Sequence, residues 1–118
     1  MLIFAFHEHD LKSDADVYEY EREVSEALIN MRIPGLLNAY QLKGEKGERI
    51  NSYAVLWIFE NMAAINNNFG TMDAPKWPSD WLHYENNVLA KYLICHPDKI
   101  HFTDYGLIKS VTYSGTDA

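Results

Sequence analysis

The sequence holds a single cysteine, Cys95, in 118 residues, so no disulfide can close within the chain. Positive charge is scarce as well: ten Lys and Arg stand against seventeen Asp and Glu, a formal net charge of −7. A nucleic-acid binder needs clustered cations to neutralise phosphates, and here the ten are scattered, which sets that class aside. No apolar run approaches the roughly 20 residues that span a bilayer, so no membrane partner is expected. The opening MLIFAFHEHD lacks a basic leader and meets charge within its first eight residues, which reads as a cytoplasmic protein. Also missing are a nucleophile elbow, a phosphate-cradling glycine loop, a zinc spacing and a dinucleotide fingerprint. Hydrolase, kinase and Rossmann readings therefore have no support.

What is present is globular: 47% hydrophobic and 14% aromatic residues, with no low-complexity tract. The length suits one domain, expected over 1–113, with 114–118 as a flexible tail. The organising stretch is NSYAVLWIFENMAA, residues 51–64. Its run from Ser52 to Ile58 is, apart from Ser52 itself, β-branched, aromatic or otherwise apolar and carries no Gly or Pro, as a central strand requires. At a period of two, Tyr53, Val55, Trp57 and Phe59 share one face and Ala54, Leu56 and Ile58 the other. Both faces are apolar, so both need covering.

Leu2 to His9 reads as a first strand, with Ile3, Ala5, His7 and His9 on one face and Leu2, Phe4 and Phe6 on the other. Ser13, three residues before Asp16, offers a capping box for a helix to about Arg32, whose buried stripe is Val17, Tyr20, Val24, Ala27, Leu28 and Met31. Pro34-Gly35 ends it. Leu36 to Lys43 is a second strand, joined by a glycine-bearing turn at 44–48 to the strand from Ser52, so the two pair antiparallel. A short helix follows over 61–68, then an irregular loop over 70–78. A second long helix runs from Ser79 to about Cys95 with Trp81, Tyr84, Glu85, Val88, Leu89, Tyr92, Leu93 and Cys95 on one face. A last strand begins near Ile100, with 107–113 either continuing it or forming another.

The order β-α-β-β-α-β, with helix ends at Ile33-Pro34 and His96-Pro97 echoing each other, predicts an α+β, ferredoxin-like fold with an antiparallel sheet. Right-handed connections place both helices on one side and leave the other sheet face bare. Large bare apolar faces are rare on monomers, so a homodimer with sheets packed face to face is expected.

In that element order, in the junction Val55-Leu56-Trp57-Ile58-Phe59-Glu60-Asn61-Met62-Ala63-Ala64 and in the helix–strand passage from Met31 to Tyr40, the chain resembles the dimeric α/β-barrel superfamily. This group includes antibiotic-biosynthesis monooxygenase-like, EthD-like, NIPSNAP-like and stress-responsive barrel domains. The resemblance implies a homodimer with a ligand cleft between sheet and helices. It also implies a cofactor-free monooxygenase acting on an aromatic or polyketide-like compound, with haem binding or degradation as a lesser alternative. The insert at 66–78 departs from the compact pattern and is positioned to lid such a cleft.

For a planar ligand, Trp57, Trp81 and Tyr84 are candidate walls, although the same rings also satisfy a plain core reading; Phe59 and Tyr92 are read as core. Asn38 and Tyr40 share a face of the second strand and offer an amide and a hydroxyl. His7 and Tyr53 are the candidate catalytic base or hydrogen-bond donor. His7-x-His9 has a spacing that alternate strand residues can use for a metal, but only distant His101 or Asp104 would complete it, so no metal and no cofactor is expected. Cys95 is read as an inert buried thiol. The rival class is a non-enzymatic ligand-sensing or protein-interaction domain with its pocket filled by side chains.

Overall fold

The computed structural model describes residues 1–115. Its strands are β1 (Ile3–His9), β2 (Leu36–Lys43), β3 (Tyr53–Phe59) and β4 (Phe102–Gly106). Its α-helices are α1 (Val17–Asn30), α2 (Met62–Phe69) and α3 (Ser79–Asn87), with single 3-10 turns at Leu89–Lys91 and Pro97–Lys99. The strands form one antiparallel sheet in the order β2-β3-β1-β4, so the two most apolar strands are central, as their two-sided hydrophobicity requires.

Cross-strand register decides which side chains share a face. Ala5 lies opposite Trp57 and His7 opposite Val55, so Ile3, Ala5, His7 and His9 join Tyr53, Val55, Trp57 and Phe59 under the helices. That layer, with Tyr20 and Val24 of α1, Ala64 and Ile65 of α2 and Trp81 and Tyr84 of α3, is the core. The opposite face carries Phe4, Phe6, Leu56 and Ile58 with no element over it. At its flanks Tyr40, Leu42 and Tyr105 are 47%, 39% and 58% exposed.

Several local expectations change. Asp16, not Ser13, caps α1: its carboxylate accepts from the backbone N–H of Tyr18 and Glu19. Ser13 belongs to the preceding turn, because Leu11 bridges Leu93 and the Lys12 N–H donates to the Tyr92 carbonyl, holding that segment extended. The helix ends earlier than Arg32, with Met31 at its C-cap, and Val17 is exposed. Gly35 then makes the turn at φ 84°, and a Cβ there would come within 2.5 Å of the Ala64 Cβ, so α2 packs directly on this turn.

The last helix also stops short, at Asn87, and continues through the Leu89–Lys91 turn; Cys95 consequently lies outside any apolar stripe and is exposed, not buried. The final strand ends at Gly106 and residues 107–115 form no strand. Gly106 opposes Ile3 where β1 begins, so past the bond from the Leu107 N–H to the Leu2 carbonyl no neighbouring strand remains to pair. Of the expected tail, Ser114 and Gly115 have no regular structure and 116–118 lie outside the described residues.

Candidate functional site

Four of the residues singled out in the sequence meet in one place. The Trp57 and Trp81 ring centroids are 5.0 Å apart, and Tyr84 lies 5.7 Å from Trp57 and 5.5 Å from Trp81, all near edge-to-face. His7 sits at the margin of this cluster, 6.2 Å from Trp57, 5.7 Å from Trp81 and 5.8 Å from Phe102. Phe69, from the end of α2, closes another side at 5.1 Å from Trp81. Strand alternation supplies His7, Trp57 and Phe102, while the first turn of α3 delivers Trp81 and its next turn Tyr84, at the i, i+3 spacing of neighbours on one helix face.

The rings largely fill their own space: Trp57, Trp81 and Tyr84 are 1%, 6% and 2% exposed. Two of their polar atoms nevertheless have no partner among the described residues, the Trp57 indole N–H and the Tyr84 hydroxyl. An orphaned buried donor is costly, and burial pushes the Tyr84 phenol well above its ordinary range, keeping it protonated as a donor. His7 is half-buried, and burial, with a smaller contribution from His9, holds its pKa down to about 3. At neutral pH its imidazole is uncharged, a weak base that can still donate or accept a hydrogen bond.

The remaining candidates lie elsewhere. Tyr53 is buried beside Tyr20, ring centroids 4.7 Å apart, and its hydroxyl donates to Glu21 Oε2 at 2.5 Å. It stands four strand residues from Trp57, about 13 Å along β3, and its pKa is raised to about 12 by burial and that carboxylate. Asn38 and Tyr40 oppose Ile58 and Leu56 and so belong to the open sheet face, away from the cluster. His9 shares the His7 face but is committed to Tyr20, Nδ1 to hydroxyl 2.7 Å. Among the described residues no three His, Cys, Asp or Glu side chains gather as a metal group.

The site also includes a residue considered in the sequence only as a remote metal ligand. Asp104 lies opposite Ala5 on β4, two residues from Phe102 and on the helix side of the sheet. It is a diagonal neighbour of His7, a relationship that places Cα atoms about 7–8 Å apart. No helix covers β4, whose residues are all exposed, so Phe102 and Asp104 form an open shelf at the edge of the aromatic cluster. The missing signal was register: alternation along β4 says which residues share a face, and only its pairing with β1 says which face that is.

Two grooves are present, and only the second touches the cluster, through Tyr84. One, of about 180 Å³, is on the open sheet face beside Phe6, Leu42 and Arg49. The other, of about 360 Å³, runs between α1 and α3 over Ala27, Met31 and Tyr84, with a mainly acidic and amide rim.

Comparison with solved structures finds the same architecture over nearly the whole chain. A dimeric ferredoxin-like protein of unknown function from Jannaschia superposes with a TM-score of 0.65 at 15% identity, over 91% of this chain and 100% of that one. The fold is ferredoxin-like. A dabb family protein with a ferredoxin-like fold from Mesorhizobium loti gives 0.62 at 17% identity, covering 92% and 98% of the two chains. A protein from Bacteroides thetaiotaomicron, provisionally named an antibiotic biosynthesis monooxygenase, gives 0.60 at 17% identity over 95% and 94%. No family model matches the sequence, and no curated protein matches it significantly. At such identities the likeness establishes the ferredoxin-like fold and leaves the chemistry to the site itself.

Proposed function

We propose that the protein is a homodimer built through its open sheet faces, and that each protomer binds a small, planar, partly aromatic molecule at the His7–Trp57–Trp81–Tyr84 cluster. The chemistry proposed is that of a cofactor-free monooxygenase, with His7 as the neutral imidazole that hydrogen-bonds and orients the bound compound. The observation that carries this reading is His7 itself: a half-buried imidazole, ringed by Trp57, Trp81 and Phe102, with its pKa depressed to about 3. Perturbed titratable groups gather at functional sites. The unpartnered Trp57 N–H and Tyr84 hydroxyl add two donors that a ligand would satisfy. Support for the dimer comes from the uncovered apolar face and from the dimeric description of the Jannaschia neighbour; the monooxygenase reading also draws on the name of the Bacteroides one.

A second reading has an observation of its own. Because Trp57, Trp81 and Tyr84 are almost wholly buried against one another, the same cluster suits a non-enzymatic domain whose pocket is filled by its own side chains. Native mass spectrometry of freshly purified protein separates these readings. A dimer that carries additional mass supports the ligand-binding protein, a dimer without it favours the filled-pocket domain, and a monomer at every concentration overturns the face-to-face assembly.

A further inference from the structure

We infer that the shelf at the edge of the aromatic cluster is a cation site: the Asp104 carboxylate, flanked by the rings of Phe102 and His7, takes the protonated amine of an aromatic ligand. This rests on the ligand-binding reading above and narrows its ligand class from aromatic compounds in general to aryl-alkyl amines, which are ammonium ions at neutral pH.

Asp104 forms no ion pair among the described residues; the pairs there join Arg22 to Glu26, Arg49 to Glu8 and Asp10, Lys91 to Glu23, and His96 to Asp98. Its neighbour across the ladder is Ala5, which carries only a methyl group and no charge. Phe102, two residues away on the same face, is 58% exposed, so its ring is presented to solvent rather than consumed by the core. Beyond it stand the imidazole of His7 and the indole of Trp81.

Aromatic faces carry negative potential and attract organic cations, while a carboxylate supplies the charge-assisted hydrogen bond that fixes the ammonium. A neutral His7 adds no competing positive charge. Although Asp104 as a residue is exposed, its carboxyl is screened enough that burial alone lifts its pKa above the ordinary aspartate value. An ammonium supplies a counter-ion, whereas an anionic ligand would add repulsion and a neutral ligand would leave the charge unpaired.

The test uses the full chain at pH 7 and three probes of one shape: 2-phenylethylamine, 2-phenylethanol and 3-phenylpropionate, titrated by calorimetry and by tryptophan fluorescence. The amine is expected to bind at least about tenfold more tightly than the alcohol, a difference of the size that one charge-assisted contact gives, and the propionate most weakly. Asp104→Asn should bring the amine down to the level of the alcohol and leave the alcohol unchanged, while Asp104→Glu should restore part of the difference. Carbon-detected NMR of the unaltered protein gives a check that needs no variant, because the Asp104 carboxyl pKa should fall when the amine saturates the site. Equal affinity for amine and alcohol, or amine binding indifferent to Asp104→Asn, overturns the cation site and leaves the aromatic site standing. If no probe binds, both the cation site and the ligand-binding reading fall.

Discussion

The imidazole Nδ1 of His9 and the hydroxyl of Tyr20 lie 2.7 Å apart, joined by a hydrogen bond between β1 and α1, with the two residues 1% and 0% exposed. Burial lowers the His9 pKa to about 4 against a small opposing pull from Asp10, and that of His7 to about 3.

Acid sensitivity follows from that pair. Both histidines are neutral in the folded state and titrate near 6.5 when unfolded, so the unfolded chain binds more protons between those values. Their contribution is fully present above pH 6.5, falls as the pH drops, and is gone below about pH 4 for His9 and about pH 3 for His7. For His9 the loss is on the order of 3 kcal/mol. Urea denaturation at pH 4.5 and 7.5 should show the protein weaker at the lower pH, and His9→Gln should reduce that difference. A stability that is flat across this window would contradict the buried neutral pair.

Tyr84→Phe tests the orphaned hydroxyl. The ring packing against Trp57 and Trp81 is kept and a buried group without a partner is removed. The free protein should be unchanged or more stable by about 1 kcal/mol, in contrast to the usual cost of deleting a buried hydrogen-bonding group. A loss of 2 kcal/mol or more, on that same scale, would mean that the hydroxyl is satisfied in solution.

Leu56 sits at the centre of the open sheet face, opposite Phe6 on one side and Tyr40 on the other. Leu56→Asp places a charge where the second sheet is proposed to pack, and an unpaired charge at such an interface costs several kcal/mol. Light scattering over a hundredfold dilution should report a dimer for the unaltered chain and a monomer for the variant. A variant that stays dimeric moves the interface elsewhere.

Trp81 and Tyr53 separate wall from scaffold. Trp81→Phe should weaken binding of a planar ligand by about tenfold, equivalent to about 1.4 kcal/mol, with the dimer intact. Tyr53→Phe removes the bond to Glu21 and should cost about 1 kcal/mol of stability while leaving that binding unaltered. Reversed effects in a binding titration would relocate the site toward Tyr53.

How much of this was legible in the chain depends on which residues carry the signal. Trp57, on a strand apolar on both faces, announces the central strand, and alternation and helical spacing group Tyr53 with Trp57, His7 with His9 and Trp81 with Tyr84; which sheet face carries His7 is shown only by the pairing of β1 with β3 and the core that covers it. Asn38 and Tyr40 show where alternation fails. Leu36 lies opposite Phe59 on the helix side, but a bulge between Leu36 and Asn38 puts an extra residue, Leu37, into the strand. The face switches there, and Asn38 and Tyr40 turn to the open side. The bulge has no composition of its own to announce it. Asp104 was obscured for a related reason, since the register of an edge strand is set by a partner nearly a hundred residues away. Asp16 displaced Ser13 as cap because the bridge from Leu11 to Leu93 is followed by a turn closed from the Ala15 N–H to the Lys12 carbonyl, which takes up Ser13 before the helix can start.

The strand order β2-β3-β1-β4 has one more consequence, in time rather than in space. The first of the four strands in chain order is a central one, and its neighbours in the sheet are residues 53–59 and 102–106. Until those are made, Ile3–His9 has apolar side chains on both faces and two free edges, with α1 as its only early shelter. Such long-range pairing is slow to form and exposed to wrong partners meanwhile. Synthesis halted before residue 102 would leave one edge of β1 without its strand and open to wrong partners.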